Sequence, residues 1–163
     1  MFYNNYLKKR GVDLNNWILP QVKRQVAFSS IIVIPSYCES NYICDTLFSL
    51  NNQINFDLSN LLVLVVVNNN TDNKSDSSIF DDNLKTMNLI SNFKSRYTLR
   101  AINAFSDNFA LPNNLAGVGY ARKIGLDFAL KYSYEDTILH CLDADTIVSN
   151  LYLSKIKNEY DDK

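Results

Sequence analysis

Cysteine, glycine, proline and histidine are all scarce in this 163-residue sequence. The three cysteines, Cys38, Cys44 and Cys141, form an odd set with no zinc-ligand spacing. That argues against a disulfide scaffold and for a reducing compartment, so the expected location is cytoplasmic. The one histidine, His140, lies far in sequence from Cys38, which therefore has no nearby base to make it a nucleophile. Charge of one sign is also lacking. The formal net charge is −1, and apart from Lys8, Lys9 and Arg10 the basic residues are scattered, which leaves no basic face for nucleic acid or a membrane surface. No apolar run is long enough to cross a bilayer: the longest are Ile31 to Ile34 and Leu61 to Val67. The opening residues, Met1 to Tyr6, are polar and aromatic and lack the apolar stretch of a signal peptide. Internal repeats and low-complexity linkers are absent too.

What remains is a chain with 47% hydrophobic residues, enough for one soluble domain with its own core. Four apolar runs alternate with helical patterns, the order of βαβ units around a parallel sheet. The first strand is expected at about Ser30 to Ile34, stopped by Pro35. A helix with Ile43, Leu47 and Leu50 on one face follows and ends near Asn52 and Asn55. Leu61 to Val67 is apolar at every position, as in a strand covered on both sides. An Asn/Asp/Ser loop then leads to a helix over about Asp81 to Lys94, with Leu84, Met87 and Ile90 inward. Tyr97 to Ala104 reads as the third strand and Phe105 to Asn114 as a loop. Val118 to Tyr132 reads as a helix, Ile138 to Leu142 as the fourth strand, and Leu151 to Tyr160 as a last helix. Residues 1–28 form a helical extension ahead of a domain spanning 29–163.

In open parallel α/β sheets, ligands bind beyond the carboxyl ends of the strands. Three polar segments occupy such ends: Pro35-Ser36-Tyr37-Cys38-Glu39, Asn68-Asn69-Asn70-Thr71-Asp72 and Asp143-Ala144-Asp145. In the last, two carboxylates two residues apart face one side and repel each other unless a cation lies between them. Oxygen donors of this kind suit Mg2+ or Mn2+, completed by substrate phosphates, although a surface turn also uses Asp-x-Asp. Tyr37 can lie against a nucleobase and Glu39 can accept from a ribose hydroxyl, or they pack locally and cap the next helix. Asn69 and Asp72 are polar readers of a base, or parts of an Asx-rich turn. Arg122, after Gly117 and Gly119 at a helix start, suits a phosphate, and Lys123 suits a solvated face. His140 reads as a satisfied structural histidine, Cys44 and Cys141 as core residues, and Cys38 as small filler.

In this order the segments resemble a family-two glycosyltransferase. Ile32 to Glu39 resembles its opening strand and Pro-x-Tyr-Asn-Glu turn. Val65 to Asp72 resembles its Asp-Asp-x-Ser-x-Asp loop. Gly119-Tyr120-Ala121-Arg122-Lys123-Ile124-Gly125 resembles its Gly-x-x-Ala-Arg-Asn-x-Gly helix, and Leu142 to Thr146 its Asp-x-Asp motif. The resemblance implies a Rossmann-like GT-A fold, mostly parallel and flanked by helices. It also implies a UDP- or GDP-sugar donor, a divalent metal and transfer, with inversion, to an unknown acceptor. Pro35, Tyr37 and Glu39 would line the nucleotide pocket, and Asn69 would stand where a base-reading aspartate is usual. Arg122 would lie near the diphosphate, Asp143 would contact ribose or sugar, and Asp145, with Asp143, would hold the metal. The departures are Asn69, Lys123 in place of asparagine, Cys38 in place of asparagine, and length. Eighteen residues follow Asp145, so the general base is expected beyond Lys163 and the acceptor-side half of the GT-A domain is truncated. The chain alone is expected to be inactive or incomplete. The rival reading is a non-catalytic nucleotide- or partner-binding module, whose exposed apolar surface would serve as an interface, including one between two copies. A nucleotidyltransferase ranks lower, because its Gly-rich basic loop is missing after the first strand.

Overall fold

The computed structural model describes residues 3–22, 27–72 and 76–161. Four strands, β1 (Ser30–Ser36), β2 (Leu61–Asn68), β3 (Thr98–Ala104) and β4 (Ile138–Cys141), form one sheet in the order β3-β2-β1-β4. Every pairing is parallel. The helices are α1 (Asn4–Arg10), α2 (Ile43–Asn51), α3 (Ser77–Asn92), α4 (Val118–Ala129) and α5 (Tyr152–Asp161).

Parallel strands need crossovers, and the crossover helices cover both faces of the sheet. Along β1 and β2, alternate residues therefore feed two cores. Ile32, Ile34, Val63, Val65 and Val67 pack with Ile43, Leu47 and Leu50 of α2, Ile90 of α3 and Leu153 of α5. Ile31, Val33, Leu62, Leu64 and Val66 pack with Ala121, Ile124 and Phe128 of α4. Doubly covered strands read as unbroken apolar runs, which is why β2 is legible from sequence alone.

The expected elements are present, with four differences. Pro35 does not stop β1, which continues through Ser36. The amide of Leu142 donates to the Val33 carbonyl, so Val33 faces β4, and by the two-residue period Pro35 faces the same side. The β1–β4 pairing ends at Val33 and Cys141. The amide hydrogen that Pro35 lacks thus points where no partner strand runs. Helix α3 starts earlier than expected, at Ser77, because the Asp76 carboxylate accepts from the Ser78 amide as its N-cap. Its inner face is set by Asn83, Thr86 and Ile90, and Leu84 is exposed. Cys141 is exposed on β4 and so is not a core residue, whereas Cys44 is half-buried and packs against the α2-side core.

Among the described residues, the extension before β1 holds α1 and a 3-10 turn at Leu14–Asn16, and it lies against the α4 side. Trp17 and Phe28 are buried there. Asp127, itself buried on α4, accepts from the Tyr6 hydroxyl at 3.1 Å, the Val12 amide at 2.8 Å and the Lys123 ammonium at 3.1 Å. Lys123 is therefore not on a solvated face. It ties the extension to α4, and its ammonium also reaches the Tyr6 hydroxyl at 2.9 Å.

Helix α4 can sit close to the sheet because residue 125 has no side chain. A Cβ on Gly125 would lie 2.3 Å from Val33 Cγ1 and 3.1 Å from Val66 Cγ2. A Cβ on Gly119 would meet nothing within 4 Å. Gly125→Ala is expected to destabilise the fold by about 1–3 kcal/mol through overpacking. Gly119→Ala is expected to stabilise it by up to ~1 kcal/mol through helix propensity. Opposite shifts in the urea unfolding midpoint check the pair.

Candidate functional site

The strand order brings the carboxyl ends of β1, β2 and β4 side by side, and the loops leaving them form one cleft of about 550 Å3. Pro35, Ser36, Tyr37 and Glu39 line it from β1, Asn68 and Asn70 from β2, and Asp143, Ala144 and Asp145 from β4. Ala116, Gly117, Val118 and Arg122 close it from the start of α4. Of the residues expected at the site, Pro35, Tyr37, Glu39, Arg122, Asp143 and Asp145 are all on its wall.

Asn69 is not. An extended chain alternates its faces, so Asn68 and Asn70 turn to the cleft and Asn69 turns away. Asn69 is buried, and its side-chain oxygen accepts the Asn70 amide at 2.8 Å. Asp72 is exposed, and its amide donates to the Asn113 side chain at 3.0 Å, the turn role rather than a wall role.

The same alternation orients the acidic segment. Leu142 and Ala144 are buried among the residues of the α2-side core, whereas Asp143 and Asp145 are exposed. The Thr46 hydroxyl on α2 donates to the Ala144 carbonyl at 2.6 Å and fixes the turn. Asp143 pairs with the Arg122 guanidinium. Arg122 thus lies on the cleft wall and in an ion pair together, and its Nε is buried without a partner.

Glu39 feels the acidity of the rim. Burial raises its carboxyl above the ordinary value, and Asp145, Asp82 and Asp143 add to the rise in that order. Among the described residues, no group of three or more His, Cys, Asp or Glu side chains is arranged to hold a metal ion. Among the described residues, the acidic segment offers a cation the carboxylates of Asp143 and Asp145. Also on the cleft wall, Gly117 is the N-cap of α4 with φ 138°, a backbone conformation that only glycine adopts readily. Helix α4 starts there, at the cleft wall, with the Tyr120 and Ala121 amides donating to the Gly117 carbonyl and those of Val118 and Gly119 ahead of the helix ladder.

Sequence reasoning missed Ser36, whose hydroxyl is buried on the cleft wall without a partner, and the amides of Asn68 and Asn70. The alternation of faces carried the signal for the two asparagines; for the serine there was none. Cys38 sits in surroundings that disfavour the thiolate. Burial raises its thiol, and Asp82, Asp76 and Glu39 raise it further. His140 is structural, as expected, though only half satisfied. Its Nδ1 lies 3.5 Å from the Tyr152 hydroxyl, and its Nε2 is buried without a partner.

No protein-family profile matches the chain, and no curated protein does. Solved structures do. S. aureus TarS 1-349 aligns over 83% of this chain and 33% of its own, with a TM-score of 0.58 and 20% identity. The same protein in complex with UDP-GlcNAc gives 0.58 and 20%. In complex with UDP it gives 0.59 and 18%, over 83% of this chain and 32% of its own. The chain spans about a third of the length of these structures. What it shares with them is the fold, and the expected Rossmann-like GT-A arrangement is the one found.

Burial depresses the His140 imidazole to about 4, from an ordinary value near 6.5. The folded state thus binds its proton less tightly than the unfolded state does. The stability tied to neutral His140 is fully present above pH ~6.5 and is lost as pH falls towards ~4. That window corresponds to a loss on the order of 3 kcal/mol. His140→Leu is expected to flatten the pH dependence of unfolding between these limits, measured by urea titration at each pH.

Proposed function

We propose that the cleft binds a nucleotide diphosphate sugar, of the UDP or GDP class, and serves a glycosyltransferase that passes the sugar to an acceptor with inversion. The observation that carries this reading is the meeting of three strand-end loops and the α4 N-terminus around one cleft that carries both a guanidinium and a set of carboxylates. Its volume, about 550 Å3, suits a ligand of nucleotide size. The exposed Tyr37 ring offers a face for a base, and Glu39 and the Asn68 side-chain oxygen offer acceptors. Arg122, the α4 N-terminus and the unpartnered Ser36 hydroxyl suit a diphosphate.

The acidic rim fits Mg2+ or Mn2+, cations that take one or two carboxylates and complete their shell with water and phosphate oxygens. Asp145 and Asp143 would hold the ion, and its charge would offset that of a departing diphosphate. The raised Glu39 carboxyl is in keeping with this assignment: burial is the main cause, and Asp145, Asp82 and Asp143 add to it. The solved TarS structures with UDP-GlcNAc and UDP favour a uridine nucleotide for this fold. The match reaches a third of their length, and no described cleft residue stands out as a base for the acceptor. Little transfer by these 163 residues alone is therefore part of the reading.

The ion pair between Arg122 and Asp143 favours a second reading, a cleft that binds nucleotide or a partner without metal or catalysis. Calorimetric titration of UDP and GDP, with and without Mn2+, separates the two. On the enzyme reading Mn2+ tightens binding, Asp145→Ala removes that gain, and Arg122→Ala weakens binding by about 10- to 100-fold, the value of hydrogen bonds to a charged group. Binding indifferent to Mn2+ supports the second reading, and robust sugar transfer by this chain overturns the expectation of incompleteness.

A further inference from the structure

Two cleft residues, Tyr37 and Glu39, ride on the loop between β1 and α2, whose backbone is held in an unfavourable shape. Cys38, between them, has φ 57°, in the left-handed region that a residue with a side chain seldom enters. Something must hold it there, and what does so comes from α3, an element that contributes nothing to the cleft wall itself.

Asn83 is completely buried on the inner face of α3. Its side-chain oxygen accepts the Cys38 amide at 3.1 Å. Its side-chain nitrogen donates to the Asn68 carbonyl, at the end of β2, at 3.2 Å. Asn68 in turn donates from its own amide to the Ser36 carbonyl at 2.9 Å. One helical residue earlier, the Asp82 carboxylate accepts the Ser40 amide at 3.1 Å and the Ser40 hydroxyl at 2.6 Å. The loop is therefore gripped on each side of Glu39, at Cys38 and at Ser40. The Glu39 carbonyl, fixed between them, accepts the amides of Tyr42 and Ile43 as α2 begins.

We infer that Asp82 and Asn83 are positioning residues of the cleft, a polar clamp from α3 that holds Cys38 left-handed so that Tyr37 and Glu39 face the ligand. The inference rests on the nucleotide reading above for what is positioned. The clamp itself rests on the hydrogen bonds alone. An asparagine suits position 83 because the site demands an acceptor for one strand-end loop and a donor for the other, and a single amide supplies both. Left unmade, either bond strands a buried peptide group. Without the clamp, the ligand would have to order the loop as it binds, and affinity falls by that amount.

The test compares amide hydrogen exchange by NMR with UDP affinity in the presence of Mn2+, on the full chain. In Asn83→Ala the Cys38 amide, and in Asp82→Leu the Ser40 amide, are expected to exchange faster while β1 stays protected. Each variant is expected to bind UDP about tenfold more weakly. Asp82→Asn, which can still accept from Ser40, should stay within about threefold of the parent. Met87→Ala, a packing loss on the same helix, should lower the melting temperature and leave affinity unchanged. Unchanged exchange at Cys38 and Ser40 overturns the clamp, and faster exchange with unchanged affinity overturns its positioning role. If the parent chain binds neither UDP nor GDP, the nucleotide reading falls and takes the positioning role with it, whereas the exchange rates still decide whether the clamp exists.

Discussion

The site depends on the parallel register of β1 between β2 and β4. Ser36 lies opposite Val67, so β1 and β2 finish together, whereas Cys141 lies opposite Val33, so β4 finishes earlier and its Asp143–Asp145 segment continues beside the ends of the other two. Loops that are remote in sequence then leave the sheet on the same side. An antiparallel partner at either position would send one of the three polar segments to the far end of the molecule. The apolar interior of β1 and β2 enforces this register, because a slip by one residue would exchange the two cores and turn every buried side chain to the wrong helix layer.

On that frame the cleft carries an unbalanced distribution of charge. Asp143 has a counter-ion in Arg122, whereas Glu39 sits in the combined field of Asp145, Asp82 and Asp143. Part of this acidity is structural, since Asp82 spends both its oxygens on Ser40. The rest is available to a ligand. The α4 side has the opposite character, with a guanidinium and the open N-terminus of a twelve-residue helix. A ligand with an anionic middle and hydroxyl-bearing ends answers both halves.

Much of this architecture is written in local patterns. The unbroken apolar run at Leu61 to Val67, the helical spacing of Ile43, Leu47 and Leu50, and the Asp-x-Asp after an apolar strand each carry their meaning within a few residues. The errors arose where meaning depends on neighbours distant in sequence. Pro35 looks like a strand end until one sees that its missing hydrogen faces the side where β4 has already finished. Asn69 looks like the wall residue until the alternation of the extended chain is counted from Asn68. Lys123 looks solvated until the extension brings Tyr6 and folds over the buried Asp127. Asp82 and Asn83 carry no motif at all. Their role exists only in the pairing of one helix with one loop.

The two glycines that flank the first part of α4 are restricted for unrelated reasons, and this has a consequence for how the motif can drift. At position 117 the space around a Cβ is open and only the sign of φ forbids a side chain, so the penalty is blind to size: serine is nearly as unwelcome as tryptophan. At position 125 the backbone is ordinary helix and the obstacle is Val33, so the penalty is graded and can be relieved from the other side by a smaller residue there. Position 117 can therefore change only if the turn ahead of α4 is rebuilt, whereas 125 and 33 can exchange bulk with each other and leave the shape of the cleft intact.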